Sequence, residues 1–95
     1  MNSHKILLFI GSDNETHTIN TDYLNRCLGV ISSFFDGFII SFSDGYYKGV
    51  KEDSLTITIY TENLKDVDRC INELKRELKQ ESILKEITKT EYAFI

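Results

Sequence analysis

Within the stretch Asp44-Gly-Tyr-Tyr-Lys-Gly-Val-Lys-Glu-Asp-Ser54, Tyr46, Tyr47 and Lys48 set two aromatic rings beside a cation. Such side chains at a loop can stack on a base and neutralise a phosphate, which is the chemistry of nucleotide recognition. The same residues also have a plainer use. Tyrosines pack across the strands of a hairpin, and Glu52 can pair with Lys48 or Lys51 across it. Asp44-Gly45 already supplies a dipeptide suited to a tight turn, so the neighbouring side chains exceed what a connection requires.

Other reactive constellations are sparse. The chain has no phosphate-cradling glycine loop, no CxxC pair and no HExxH sequence, and His4 and His17 are not spaced as a metal pair. No metal and no cofactor is therefore expected. Cys27 and Cys70 fall on apolar faces of helical patterns, where a reduced thiol acts as a small hydrophobe rather than a nucleophile. The polar segment Gly11 to Thr18 leads into a helix N-terminus, a place where amides receive anions. Asp13 and Glu15 oppose that use and suit local amide hydrogen bonds better. Lys75, Arg76, Lys79, Lys85 and Lys89 are interleaved with Glu73, Glu77, Glu81, Glu86 and Glu91, the pattern of a solvated charged surface.

The 95 residues are enough for one domain with one core. With 41% hydrophobic and 27% charged residues the chain should be globular rather than disordered. A net charge of -4 argues against a general nucleic-acid binder. The longest apolar run, Ile6 to Ile10, is too short to span a bilayer, and no secretory leader pattern precedes it. A soluble, cytoplasmic protein without membrane attachment is expected.

The elements that would position these residues follow from periodicity. Lys5 to Gly11 reads as a central strand buried on both faces, because its apolar run is unbroken. Ile19 and Asn20 read as staple and N-cap of a helix that runs to about Phe35, with Leu24, Cys27, Leu28, Ile31, Phe34 and Phe35 as its buried stripe and Gly37 placed to end it. Phe38 to Ser43 and Leu55 to Tyr60 alternate as strands. Asn63 caps a second helix, whose stripe is Leu64, Val67, Cys70, Ile71, Leu74 and Leu78. Ile83 to Tyr92 reads as an edge strand guarded by lysines, and the tail Ala93-Phe-Ile95 stays apolar.

The order β-α-β-β-α-β predicts an α+β, ferredoxin-like sandwich over 1–95, a four-stranded antiparallel sheet with both helices on one face. Its other face would be left open. The apolar tail and the Thr56, Thr58, Tyr60 face suggest that a further copy of the chain packs there.

The string Phe35-Asp-Gly-Phe…Asp44-Gly-Tyr-Tyr-Lys-Gly49…Glu52-Asp-Ser-Leu-Thr-Ile-Thr-Ile59…Leu78-Lys-Gln-Glu-Ser-Ile-Leu84 resembles a group of small phage and bacterial domains that includes proteins of unknown function. More distantly, the Gly-x-Tyr turn, the following glutamate and the glutamine before the last strand resemble those of the phage S-adenosylmethionine lyases, formerly called hydrolases. That resemblance implies a trimer with sites between subunits. It implies that Tyr47 lines a ligand pocket, that Glu52 holds the ligand's polar end and that Gln80 stands at the start of strand 4. The connection from tyrosine to glutamate is shorter here than in the lyases, and the chain ends soon after the fourth strand.

Three functions are compatible with this reading. The first is a homo-oligomer that binds a nucleotide or adenosyl ligand through Tyr46, Tyr47, Lys48, Glu52 and Gln80, and thereby counteracts a host defence. The second is an S-adenosylmethionine lyase with Tyr47 and Glu52 as its catalytic pair. The third is a protein inhibitor of a host defence enzyme that uses its acidic surface or an open strand edge. The defence setting comes from the resemblance alone.

Overall fold

The computed structural model describes residues 3–95. Its elements run β1 (His4–Gly11), α1 (Thr21–Phe34), β2 (Ile39–Tyr47), β3 (Val50–Thr61), α2 (Leu64–Leu78) and β4 (Leu84–Lys89). The four strands form one antiparallel sheet in the order β2-β3-β1-β4. This is the α+β ferredoxin-like arrangement that the element order predicts.

One face of the sheet meets the helices. Ile6, Leu8 and Ile10 of β1 and Leu55, Ile57 and Ile59 of β3 are buried there against Tyr23, Cys27 and Ile31 of α1 and Val67, Cys70, Leu74 and Leu78 of α2. Full burial of each large aliphatic side chain is worth about 1.5–3 kcal/mol. Alternation decides the other face. Lys5, Leu7 and Phe9 are only half-buried, so β1 is central but not covered on both sides, contrary to the expectation from its unbroken apolar run. An all-apolar strand shows how much apolar surface is offered, not whether a second layer exists to cover it.

Both helix starts follow their caps. The Asn20 side chain accepts the Tyr23 N–H at 2.8 Å, and the Asn63 side chain accepts that of Asp66 at 3.1 Å. The end of α1 differs from expectation. The helix stops at Phe34 and Phe35 is extended, so Gly37 takes no part in ending it. α2 stops at Lys79, a residue in the left-handed region at φ 53°, and the Gln80 N–H then returns to the Lys75 carbonyl at 3.0 Å.

The hairpin departs furthest from the pattern of its residues. β2 and β3 extend well past the strands expected at Phe38 to Ser43 and Leu55 to Tyr60, and Asp44-Gly45 lies inside the ladder, opposite Asp53 and Glu52. The turn is Lys48-Gly49, where φ is 50° and 79°. Two consecutive positive φ values are what a two-residue type I′ connection requires, and its twist matches that of the strands. β4 is shorter than expected, exposed along its length, and forms one edge of the sheet. Just beyond it the Thr90 N–H continues the register with β1 by bonding to the Ser3 carbonyl at 3.1 Å, and the ring of Tyr92 sits edge-on to Tyr60 at 5.4 Å.

Candidate functional site

β1 stops pairing with β3 at Gly11, opposite Ser54. Past that point Asp44 to Tyr47 and Val50 to Asp53 pair only with each other. The hairpin therefore leaves the body of the sheet as a two-stranded arm. Its tip carries Tyr46 and Tyr47, 72% and 66% exposed, with Val50 beside them at 58%. The Lys48 ammonium lies 5.4 Å from the centre of the Tyr47 ring, within cation–π range. The tip thus displays two aromatic faces and a cation with little of its own chain against them.

The root of the arm is fastened to the loop before α1. Asp53 Oδ2 accepts the Ile19 N–H at 3.3 Å, and Glu52 Oε1 lies 3.4 Å from His17 Nδ1. Glu52 was expected to pair with Lys48 or Lys51. Lys51 instead lies 3.6 Å from Asp44, and Glu52 faces the loop. His17 stands at φ 59°. Asp13 organises the same loop, accepting the Glu15 and Thr16 N–H groups at 2.8 and 3.2 Å, and these bonds hold its carboxyl below the usual range.

Gln80 belongs to a different constellation. The left-handed Lys79 turns its side chain toward the end of β1, where Nε2 donates to the Ser12 carbonyl at 2.9 Å and to Tyr23 Oη at 3.1 Å. Tyr23 Oη in turn donates to the Gly11 carbonyl at 2.7 Å. Burial pushes the Tyr23 phenol up to about 12, so it stays a donor at neutral pH. Both Nε2 protons of Gln80 are thereby engaged.

Among the described residues, no hydrogen bond or ion pair joins Tyr46, Tyr47 or Lys48 to Glu52 or Gln80. Glu52 and Gln80 flank the same loop, through His17 and Ser12, and the tyrosines stand out along the arm. Tyr23 was absent from the stripe read in the sequence. Its signal was available, since Tyr23, Cys27 and Ile31 repeat every four residues.

A further feature was not legible. An apolar groove of about 610 Å³ is lined by Phe35, Asp36, Phe38, Ile39, Tyr60 and Phe94, residues from three separate parts of the chain. A smaller cleft of about 300 Å³ lies at the arm's root, between Phe42, Asp44 and Asp53. Cys27 and Cys70 are free and buried, and burial pushes both thiols up, to about 11 and about 12, so neither is a ready nucleophile.

No protein-family model and no curated protein matches the chain. Solved structures do match it in fold. A DUF3240 family protein from Shewanella baltica is 12% identical, with a TM-score of 0.69 over 100% of this chain and 98% of that one. A phage SAM lyase in complex with S-methyl-5′-thioadenosine is 21% identical, with a TM-score of 0.59 over 93% of this chain and 81% of that one. The de novo designed protein Foldit4 is 14% identical, with a TM-score of 0.56 over 96% and 99%. At these identities the likeness is one of fold. A designed chain among the neighbours makes the point that this fold is compatible with many roles or none.

Proposed function

We propose that the protein acts as a homo-oligomer, a trimer in its simplest form, that holds a nucleotide or adenosyl compound at the interfaces between copies. The observation that carries this reading is the arm tip, where Tyr46, Tyr47 and Lys48 are presented with their own chain leaving them uncovered. A base stacked on a tyrosine face gains roughly 1–3 kcal/mol, and an ammonium beside it neutralises a phosphate. Glu52 would accept from a ligand hydroxyl or amine, and Gln80 Oε1 would accept from an exocyclic amine. The likeness to a phage lyase bound to S-methyl-5′-thioadenosine supports an adenosyl ligand over other nucleotides. In a host cytoplasm, sequestering such a compound would blunt a defence that depends on it.

Native mass spectrometry of the untreated protein tests the reading in one measurement. A multiple of the chain mass carrying a retained adenosyl or nucleotide mass is expected, with the small mass lost in Tyr47→Ala. A bare monomer at every concentration sinks it and leaves the protein-inhibitor reading standing.

The same likeness supports a second reading, cleavage of S-adenosylmethionine. The positive sulfur is already a good leaving group, so catalysis needs positioning more than acid or base strength. Tyr47 would face the sulfonium and Glu52 would hold the amino-acid end. Methylthioadenosine released from S-adenosylmethionine, and its loss in Glu52→Gln, is the expected result. No product at high protein concentration removes the lyase and leaves the binding function untouched.

A further inference from the structure

We infer that the arm of one copy docks, head to tail, into the apolar groove of another. The inference takes from the proposed function only that several copies assemble; it does not depend on a ligand. Two surfaces of one chain cannot be brought together. β2 starts at Ile39, which lines the groove, and ends at Tyr47, at the arm tip. Eight strand steps of about 3.3 Å hold the two roughly 26 Å apart along a stiff element.

Each surface is incomplete alone. A two-stranded hairpin without cover is marginal in water, and this one ends in Tyr46, Tyr47 and Val50, all more than half exposed. The groove is walled by Phe35, Phe38, Ile39, Tyr60 and Phe94, with Phe94 itself 89% exposed. A volume of about 610 Å³ falls in the range of sites that enclose drug-sized molecules, ample for a tyrosine side chain from the arm tip.

Charge selects the occupant. Among the described residues, Asp36 is the one charged residue on the groove wall, and Lys48 is the one charged residue in the turn at the arm's end. An aromatic arm that ends in a cation fits an aromatic groove with a carboxylate at its rim, and the matching arm is the chain's own. A contact between two different patches of the same molecule is heterologous, so it generates a ring if the rotation closes. Every copy in such a ring offers one arm and one groove.

Cross-linking and charge exchange test the docking together. Lys48→Cys and Asp36→Cys placed in one chain, both at exposed positions, should give disulfide-linked species between copies under mild oxidation, ending at the ring size seen by native mass spectrometry. Wild-type protein, whose Cys27 and Cys70 are buried, should give none. Lys48→Asp and Asp36→Lys should each weaken self-association roughly two- to tenfold, and the double exchange should recover most of it, with circular dichroism confirming that each variant is folded. An assembly untouched by either charge reversal, a charge exchange that restores nothing, or single copies at all concentrations overturns the docking. If cross-links form and no nucleotide or adenosyl compound is retained, the ligand reading fails and the docking stands. If a ligand-bearing assembly persists without cross-links, the docking alone fails.

Discussion

The junction around Gln80 and the arm around Tyr47 contain similar functional groups in opposite circumstances. At the junction an amide, a phenol and two backbone carbonyls satisfy one another between the end of β1, α1 and the end of α2. On the arm, two phenols and an ammonium face outward, joined to the rest of the chain mainly through the ladder. Polar groups that are buried and mutually satisfied hold a fold in register, because a broken partnership leaves another group without a partner. Exposed groups of the same kind cost the fold little and remain available to a ligand or another copy. The sequence reading counted Tyr47, Glu52 and Gln80 together as ligand-binding residues, and the resemblance put Gln80 at the start of strand 4, whereas β4 begins only at Leu84. The structure gives them different settings: Gln80 is engaged at the junction, Glu52 faces His17, and Tyr47 is exposed on the arm.

The contrast can be broken most forcefully at Tyr23. Tyr23→Ala removes a fully buried ring and should cost roughly 3–5 kcal/mol in urea unfolding. Tyr23→Phe isolates the hydroxyl, and here pH is informative. The phenol is raised from 10.0 to about 12, so the folded state keeps a proton that the unfolded state gives up. This stability is fully present below about pH 10 and declines as pH rises toward 12. The raised Cys27 and Cys70 thiols act in the same direction from about pH 9. Tyr23→Phe should therefore show a shallower alkaline decline than wild type, with the cysteine share remaining.

Next in size, Gln80→Leu should cost about 1–3 kcal/mol by leaving the Ser12 carbonyl and the Tyr23 hydroxyl without their donor. An unchanged unfolding midpoint combined with lost ligand retention would place Gln80 with the arm rather than with the junction. Gly49→Ala should cost on the order of 1 kcal/mol, since alanine resists φ near 79°. Proton exchange in the turn should accelerate locally more than globally. The smallest effect on folding is expected at the arm tip. Tyr46→Ser and Tyr47→Ser should move the stability of a single copy by less than about 0.5 kcal/mol. The same variants should reduce self-association clearly, which analytical ultracentrifugation reads.

How much of this was legible in the residues depends on the range of the interaction. Asn20 and Asn63 cap their helices as read, because a cap is settled by side chains three residues apart. The alternation of Leu55, Ile57 and Ile59 was equally plain. The turn was misplaced for a local reason of another kind. Asp44-Gly45 and Lys48-Gly49 both offer a glycine in the second position, and only the register with β1 and the pairing of Tyr46 with Lys51 choose between them. Glu52 was paired with a lysine on grounds of proximity in the hairpin, whereas the incoming loop brings His17 to it.

The sequence by itself determined the element order, the two caps and the helix stripes apart from Tyr23, Leu28 and Val30, since each rests on periodicity or on neighbours within a few residues. Only the tertiary structure decided that Gln80 ties β1 to both helices, that the hairpin becomes an arm beyond Gly11, and that Phe35, Phe38, Tyr60 and Phe94 share one groove. Those contacts join residues far apart in the chain. No local pattern encodes them, because the chain's backbone fixes such distances only once the whole sheet has formed.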